Sequence, residues 1–329
     1  MRSGEEIIKV AETEYARDAT FGYTSSDLTD WVAEVTHGRI PPETVRRLSL
    51  ERLRRGAPAV ASMLAEVRAG TVVSIDAETD EDLRTVAVGV LMAEAEGRRF
   101  VYRCGPSFVR ARLGQSAADP VDDESLVDVM ANAAGRGWNG NGLVVVGSHV
   151  PTTSKQLHAL QAQGVFDSVE FDIAALMSAA DPGPVIERAS TRVLARLETR
   201  PVVLHTSRSF IAADDSVDSL SVARRVSMAL AEVVRSVLAQ SSPSYIVAKG
   251  GITSSDVAVR GLQITRATVS STLLPGIVSL WIVEHGPSAG LPYVVFAGNV
   301  GDKTSLVHVV DRLESARKRA HSSRKSDWQ

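Results

Sequence analysis

Short apolar runs alternate with amphipathic stretches along most of the chain. The runs are rich in Val, Ile and Leu and are shorter than buried helices, which favours strands. They lie at residues 71–75, 99–102, 142–147, 167–171, 201–205, 245–248 and 291–296. The stretches between them repeat apolar residues at helical spacing. This alternation predicts an α/β fold of two domains, each with a mostly parallel or mixed sheet covered by helices.

The boundary between the two domains is predicted from residues 114–124, which are small, acidic and without apolar periodicity. Such a composition is typical of a linker. We therefore assign residues 1–113 to an N-terminal domain, 114–136 to a linker with a short helix, and 137–318 to a second domain. Residues 319–329 form a polar tail that we expect to be loosely ordered.

Composition narrows the classes of function. The net charge of −3 over 329 residues gives no electrostatic footprint for nucleic acid or an anionic membrane. No apolar run reaches the ~18 residues of a membrane helix, and the N-terminus lacks a signal-peptide pattern, so we expect a cytoplasmic protein. The single cysteine excludes a disulfide framework. The seven histidines show no metal-ligand spacing, so no metal site is predicted within the chain.

A glycine turn follows the strand at 245–248. Lys249, Gly250 and Gly251 lead into a hydroxyl-rich helix start that includes Thr253 and Ser254. Glycines let an anion approach the backbone, and the unpaired N–H groups of a helix start point at it, while Lys249 could add a point charge. Two interpretations stay open: a phosphate site, or a plain turn in which Thr253 or Ser254 is only an N-cap.

Two further strand ends finish in glycine or hydroxyl groups, at Gly147–Ser148 and at Gly298–Gly301. Open α/β sheets bind ligands outside the carboxyl ends of their strands, so the three ends could form one crevice suited to a nucleotide or another phosphate. A formal G-x-G-x-x-G at 135–140 precedes its strand instead of following it. It is therefore no dinucleotide fingerprint, and this opposes a nicotinamide-dependent dehydrogenase.

Two arginines follow predicted strands, Arg103 and Arg208. Each could hold a carboxylate or phosphate through two parallel hydrogen bonds, or could form a structural ion pair. The sequence leaves both alternatives open.

Together these motifs resemble the four-carbon acid sugar kinase family, which includes D-threonate and D-erythronate kinases. The resemblance is carried by Gly147-Ser148 with a Thr-x-x-Gln at 153–156, by Gly-Gly-x-Thr-Ser at 250–254, and by Gly-Asn-x-Gly at 298–301. It spans roughly residues 12–315. Val150 and the Phe296-Ala297 pair depart from more usual polar residues of the family, which could alter nucleotide affinity.

The resemblance implies an ATP-dependent kinase that phosphorylates a hydroxyl of a small four-carbon sugar acid, with Mg²⁺ screening the phosphates. It makes 1–113 the substrate-type domain and 137–318 the nucleotide-binding domain. The ATP-binding positions carried over by motif are Ser148, Gly250, Gly251, Ile252, Thr253, Gly298 and Asn299. No catalytic residue is assigned.

The N-terminal region departs from the family. Members open with a strand running into Asp-Asp-x-Thr-Gly, whereas residues 26–30 here lack the glycine and the preceding strand, and Asp27 is expected to be a helix N-cap. The chain is therefore expected to lack the family's first segment. A partner, or a second copy in a homo-oligomer, would then cover an exposed sheet edge. The alternative is a non-catalytic nucleotide-binding or regulatory protein that keeps the ATP pocket without a substrate site.

Overall fold

The computed structural model describes residues 2–3, 6–13, 15–17, 22–116, 119–208, 216–274 and 278–326. The chain divides into two compact units, Met1–Ala117 and Ala118–Gln329. Within the described ranges, no helix is both long enough and apolar enough to cross a membrane.

Unit 1 is mainly helical. Its strands are β1 (Arg2–Ser3), β2 (Glu6–Ile7), β3 (Arg46–Leu48) and β4 (Val73–Ile75). Its helices are α1 (Leu28–Val35), α2 (Leu50–Leu53), α3 (Ala57–Glu66), α4 (Asp80–Ala95) and α5 (Pro106–Arg112), with 3₁₀ turns at Val10–Glu12 and Pro42–Thr44. β1 and β2 pair antiparallel, and β3 and β4 pair parallel. As predicted, the Asp27 side chain caps α1 by accepting the Thr29 N–H.

The core of unit 1 forms where α3 and α4 pack together over β3 and β4. Gly89 makes this close packing possible, because a Cβ at that position would lie 2.5 Å from the Cβ of Val60. Buried Val60, Met63, Val86 and Val90 fill the interface. The apolar face of α4, whose residues recur at helical spacing, therefore packs against α3 within unit 1.

The predicted strand at 99–102 is wrong, because these residues pair with no strand. Their aromatic side chains instead form a cluster in which the ring of Tyr102 lies 6.4 Å from Phe100 and 5.6 Å from Phe108. Phe100 and Phe108 pack against the core of unit 1, while Val101 is fully exposed. Arg103 consequently follows no strand, and its guanidinium lies 4.5 Å above the ring of Trp31.

Unit 2 is a seven-stranded sheet covered on both faces. Its strands are β5 (Leu143–Val146), β6 (Asp167–Phe171), β7 (Val202–Thr206), β8 (Ile246–Lys249), β9 (Arg266–Leu274), β10 (Val278–His285) and β11 (Pro292–Phe296). Its helices are α6 (Asp123–Gly135), α7 (Pro151–Ala162), α8 (Ile173–Ser178), α9 (Gly183–Leu197), α10 (Ser216–Leu238), α11 (Gly251–Asp256) and α12 (Ser305–Ser326). A π-helical turn, Val257–Gly261, continues α11.

The strands lie in the order β6-β7-β5-β8-β11-β10-β9. The first five are parallel, and β10 and β9 extend the sheet antiparallel. All residues of β5, β7 and β8 are buried, as expected of central parallel strands covered on both faces. The predicted α/β class with a mostly parallel or mixed sheet is therefore confirmed. The antiparallel pair β9–β10 was not predicted.

The final helix is longer than predicted. It continues from Ser305 to Ser326, so the expectation of a loose tail from residue 319 is wrong for 319–326. One apolar side of the helix explains the extension, because Ala316 and Ala320 are buried in the same core as Leu313. Two apolar cores cover the sheet, one with α8, α9 and α10 and the other with α6, α7 and α12.

We predict that Thr79→Ala weakens the start of α4. Thr79 and Asp82 form a reciprocal capping box, in which each side chain accepts the other's backbone N–H. Loss of an N-cap of this kind costs about 1 kcal/mol. Hydrogen-exchange mass spectrometry of the full chain should show faster exchange in the first turn of α4. Thr191→Ala, on the exposed side of α9, is the control, and unchanged exchange at α4 would contradict the prediction.

Candidate functional site

The three predicted strand ends lie side by side, because β5, β8 and β11 are neighbours in the sheet and run parallel. The helices that follow the first two strands lie on opposite faces: α7 packs with α12, whereas α11 and its π-helical continuation pack with α10. A change of face between neighbouring strands opens a crevice at their carboxyl ends, which is where open α/β sheets bind ligands.

Gly250 ends β8 with a φ of 129°, a conformation that favours glycine. Helix α11 begins at the next residue, earlier than predicted. Ser254 is not an N-cap, because its hydroxyl donates to the carbonyls of Ala248 and Gly250 at 2.8 and 2.6 Å. The first-turn N–H groups of Gly251 and Ile252 therefore have no intrahelical acceptor.

Ser148 lies between the two glycine turns. A Cβ at Gly250 would lie 3.2 Å from the Cβ of Ser148, and a Cβ at Gly298 would lie 2.6 Å from its Oγ. The Thr153 hydroxyl links Ser148 to the second turn. It lies 3.2 Å from Ser148 Oγ and donates to the Gly298 carbonyl at 2.8 Å. The structure thus brings Ser148, Gly250 and Gly298 into one cluster, and both glycines are needed for close approach.

The turn after β11 is held by side chains of α7. Gln156 is fully buried and donates through Nε2 to the carbonyls of Val300 at 3.0 Å and Asp302 at 2.7 Å. Thr153, one helical turn earlier, holds the carbonyl of Gly298. The i, i+3 spacing of these two side chains places them on one face of the helix. The Thr-x-x-Gln motif therefore positions the Gly-Asn-x-Gly turn, a role that was not predicted from the sequence.

Lys249 holds the same turn from the other side. Its fully buried ammonium group donates to the carbonyls of Ala297 at 2.7 Å and Val300 at 3.3 Å and lies 3.8 Å above the ring of Phe296. Burial lowers the pKa of Lys249 to about 7. The expectation that Lys249 supplies a point charge to a ligand is wrong, because its side chain points into the fold.

These contacts orient the backbone of the turn. A trans peptide directs its C=O and N–H to opposite sides, so carbonyls held toward the interior turn the following N–H groups away from it. No described residue accepts a hydrogen bond from the N–H of Gly298 or Gly301. Several N–H groups facing one way can attract an anion.

Thr253 is buried, and its Oγ1 lies so close to Gly147 that a Cβ there would approach it to 2.2 Å. The other predicted residues are more exposed. Gly251 and Asn299 are exposed, and Ile252 is 40% exposed. A Cβ at Gly251 would meet no atom within 4 Å, so this glycine is not required by packing. Among the described residues, no cluster of three or more His, Cys, Asp or Glu could hold a metal ion.

Arg208, after β7, reaches the cluster from the neighbouring strand. Its Nη1 donates to the carbonyl of Ser148 at 2.6 Å. The nearby His149 has a lowered pKa, first because it is buried and second because of the Arg208 charge. The pKa of His205 is lowered mainly by burial as well. Both imidazoles are therefore held neutral at physiological pH.

We predict that Gln156→Glu destabilises the fold. A carboxylate keeps the shape of the amide but presents only acceptors to two buried carbonyls, and unmade buried hydrogen bonds cost about 1–3 kcal/mol each. Urea unfolding should show a loss of at least about 2 kcal/mol. Gln115→Glu, at an exposed position, should change little. Equal stability of the two variants would refute the role of Gln156 in holding the turn.

We predict a pH signature for Lys249. Between pH 7 and 10.5 the unfolded chain retains a proton that folded Lys249 has released, so this group makes the free energy of unfolding rise with pH across that window. The free energy of unfolding of wild type minus that of Lys249→Met should therefore increase from pH 7 to 9. Lys318→Met, at an exposed position, should show no such trend. A constant difference for Lys249→Met would contradict a depressed pKa.

Two family models match the chain in succession. Residues 6–112 match a sugar-binding N-terminal domain. Residues 143–306 match a nucleotide-binding C-terminal domain, and this match contains the whole cluster around Ser148.

Among curated proteins, a 3-oxo-isoapionate kinase from Paraburkholderia graminis is 30% identical over 175 residues, which are 49% of this chain and 36% of that relative. The chain thus matches about a third of the length of the curated relative. Among solved structures, a putative tRNA synthase from Salmonella typhimurium LT2 has a TM-score of 0.51 at 17% identity, covering 91% of this chain and 66% of the other. A Haemophilus influenzae protein has a TM-score of 0.46 at 17% identity, covering 92% and 68%.

The two domain matches occur in the order that the sequence motifs predicted, and the curated relative is a kinase. The resemblance found in the sequence is therefore confirmed, and the chain belongs to the four-carbon acid sugar kinase family, whose members join a sugar-binding N-terminal domain to a nucleotide-binding C-terminal domain.

Proposed function

We propose that this protein is an ATP-dependent kinase that transfers the γ-phosphate to a hydroxyl group of a small, four-carbon sugar acid. The observation that carries the proposal is the cluster in which Ser148 separates the turns at Gly250 and Gly298. It lies within the region that matches the nucleotide-binding domain. Membership in a kinase family with such a domain implies that the protein uses a nucleotide. That this nucleotide is ATP is part of the proposal.

The backbone supports a bound triphosphate at this cluster. Phosphates are bound by N–H groups at glycine turns and helix starts, where no side chain blocks their approach. Gly251 and Ile252 supply such groups at the start of α11, and Gly298 and Gly301 supply them on the turn that Lys249 and Gln156 hold. Mg²⁺ would enter with the nucleotide and neutralise charge on its phosphates.

The acceptor is proposed from the N-terminal match. Residues 6–112 match a sugar-binding domain, and the curated relative is named as a kinase of 3-oxo-isoapionate. In the transfer, an acceptor hydroxyl oxygen would bond to the γ-phosphorus while the bond from that phosphorus to the β-phosphate oxygen breaks. ADP leaves, and the hydroxyl proton passes to a base that we do not assign. If no sugar acid causes the protein to release ADP from ATP, the proposed transfer is wrong.

We predict that Gly251→Asp abolishes nucleotide binding without harming the fold. The space around this glycine accepts a side chain, and a carboxylate at a helix N-terminus is favourable in the free protein. The same carboxylate would repel a phosphate. Gly251→Asn has nearly the same shape without the charge, and it should retain most of the binding.

The measurement is the melting temperature with and without Mg²⁺–ATP. A ligand at a hundred times its Kd adds ~2.7 kcal/mol of apparent stability. We expect a rise for wild type and Gly251→Asn and none for Gly251→Asp. A rise with NAD but not with ATP would overturn the proposal, and so would equal rises for all three proteins. Release of ADP in the presence of four-carbon sugar acids then tests the transfer itself.

A further inference from the structure

The cluster contains a cation, Arg208, whose hydrogen-bonding capacity is only partly used among the described residues. The Nε and Nη2 atoms of Arg208 are buried and have no hydrogen-bond partner among the described residues. A guanidinium has five N–H donors in a fixed plane, and Nη1 alone is accounted for, by the carbonyl of Ser148. No described carboxylate forms an ion pair with Arg208.

This arrangement is costly for the free protein. Burial lowers the pKa of Arg208 to about 10, and the more distant charge of Glu170 opposes that shift only in part. A buried charge without a partner destabilises a fold, and buried arginines are normally paired. Lys249 offers a contrast, because its ammonium group donates to two carbonyls of the turn. The same cluster thus contains one cation with structural partners and another with donors to spare.

The position of the guanidinium favours a phosphate as its ligand. The bond from Nη1 fixes the guanidinium against Ser148, and Ser148 is also the residue that touches both Gly250 and Gly298. An anion that reaches the N–H groups of the two glycine turns is therefore close to the guanidinium as well. The planar fork of arginine matches the geometry of a phosphate through two parallel hydrogen bonds.

We propose that Arg208 binds a phosphate group of the nucleotide through its Nε–H and Nη2–H. This inference rests on the proposed function, because it assigns the phosphate of that same site. Arg208 supplies the point charge for which the sequence suggested Lys249. It does so from β7, a strand whose end was not among the three predicted to form the crevice.

The test compares Arg208→Gln and Arg208→Lys with wild type by calorimetric titration of ATP, adenosine and inorganic triphosphate. Hydrogen bonds to charged groups are strong enough that Arg208→Gln should weaken ATP and triphosphate by about ten-fold or more. Adenosine, which has no phosphate, should change less than about two-fold. Arg208→Lys keeps the charge but not the fork and should fall between wild type and Arg208→Gln.

A second readout separates binding from a structural role. Arg208→Met removes the unpaired charge, which favours the free protein, and also the Nη1 bond to the Ser148 carbonyl, which opposes it, so the melting temperature without ligand should stay close to that of wild type. A marked fall, or a parallel loss of ATP and adenosine in Arg208→Gln, would show that Arg208 acts only through the fold and would overturn the proposal. Unchanged ATP affinity in Arg208→Gln would also overturn the proposal. This result is expected if Arg208 holds a carboxylate of the acceptor instead of a phosphate of the nucleotide.

The outcomes also separate this inference from the proposed function. If wild type binds triphosphate in an Arg208-dependent way but does not bind ATP in preference to it, the nucleotide assignment fails and the phosphate site stands. If wild type binds ATP and Arg208→Gln binds it equally well, the function stands and the role of Arg208 fails. If wild type binds neither ATP nor triphosphate, both fail.

Discussion

The arrangement of the site depends on the need of buried carbonyl groups for donors. The turn after β11 carries four carbonyls that point inward, and the donors come from Thr153, Gln156 and Lys249. Because a carbonyl buried without a partner is costly, the turn has little freedom to reorient once these side chains are in place. Rigid orientation of the N–H groups before a ligand arrives reduces the entropy lost on binding. The fold thereby holds these N–H groups in fixed directions, which supports the proposed binding of a phosphate.

The two apolar cores determine where that surface lies. One core holds α7 and α12 on one face of the sheet, and the other holds α10 and the helical segment after Gly250 on the opposite face. β5 and β8 are neighbours whose following helices belong to different cores, and such a change of face is where open α/β sheets form a ligand crevice. Positioning of the polar cluster is thus a consequence of hydrophobic packing some distance from it. Residues such as Leu160 and Val257 matter to the site although they touch no ligand.

Much of this could be predicted from the sequence, because buried parallel strands are continuous apolar runs and their carboxyl ends share one edge of the sheet. The convergence of Ser148, Gly250 and Gly298 was expected from that rule, and it also needs β5, β8 and β11 to be neighbours, which only the structure shows. The direction of Lys249 could not be predicted, since it depends on carbonyls that lie 48 and 51 residues away in the chain. The aromatic residues Phe100 and Tyr102 mimic a strand but pack on a core instead. The β9–β10 pair was missed because the outer strand, β9, contains several Ser and Thr residues and only one buried apolar residue, so it does not form an apolar run.

The position of Ser148 has a consequence for the breadth of the crevice. Its Cβ and Oγ fill the gap between two backbone segments that come from different parts of the chain. The volume of this one small side chain therefore acts as a spacer that determines how far apart the turns at Gly250 and Gly298 stand. Alanine would leave a hole there, and any bulkier residue would force the segments apart. The spacing of the two turns, and with it the size of the proposed phosphate ligand, is in this sense set by a single hydroxymethyl group.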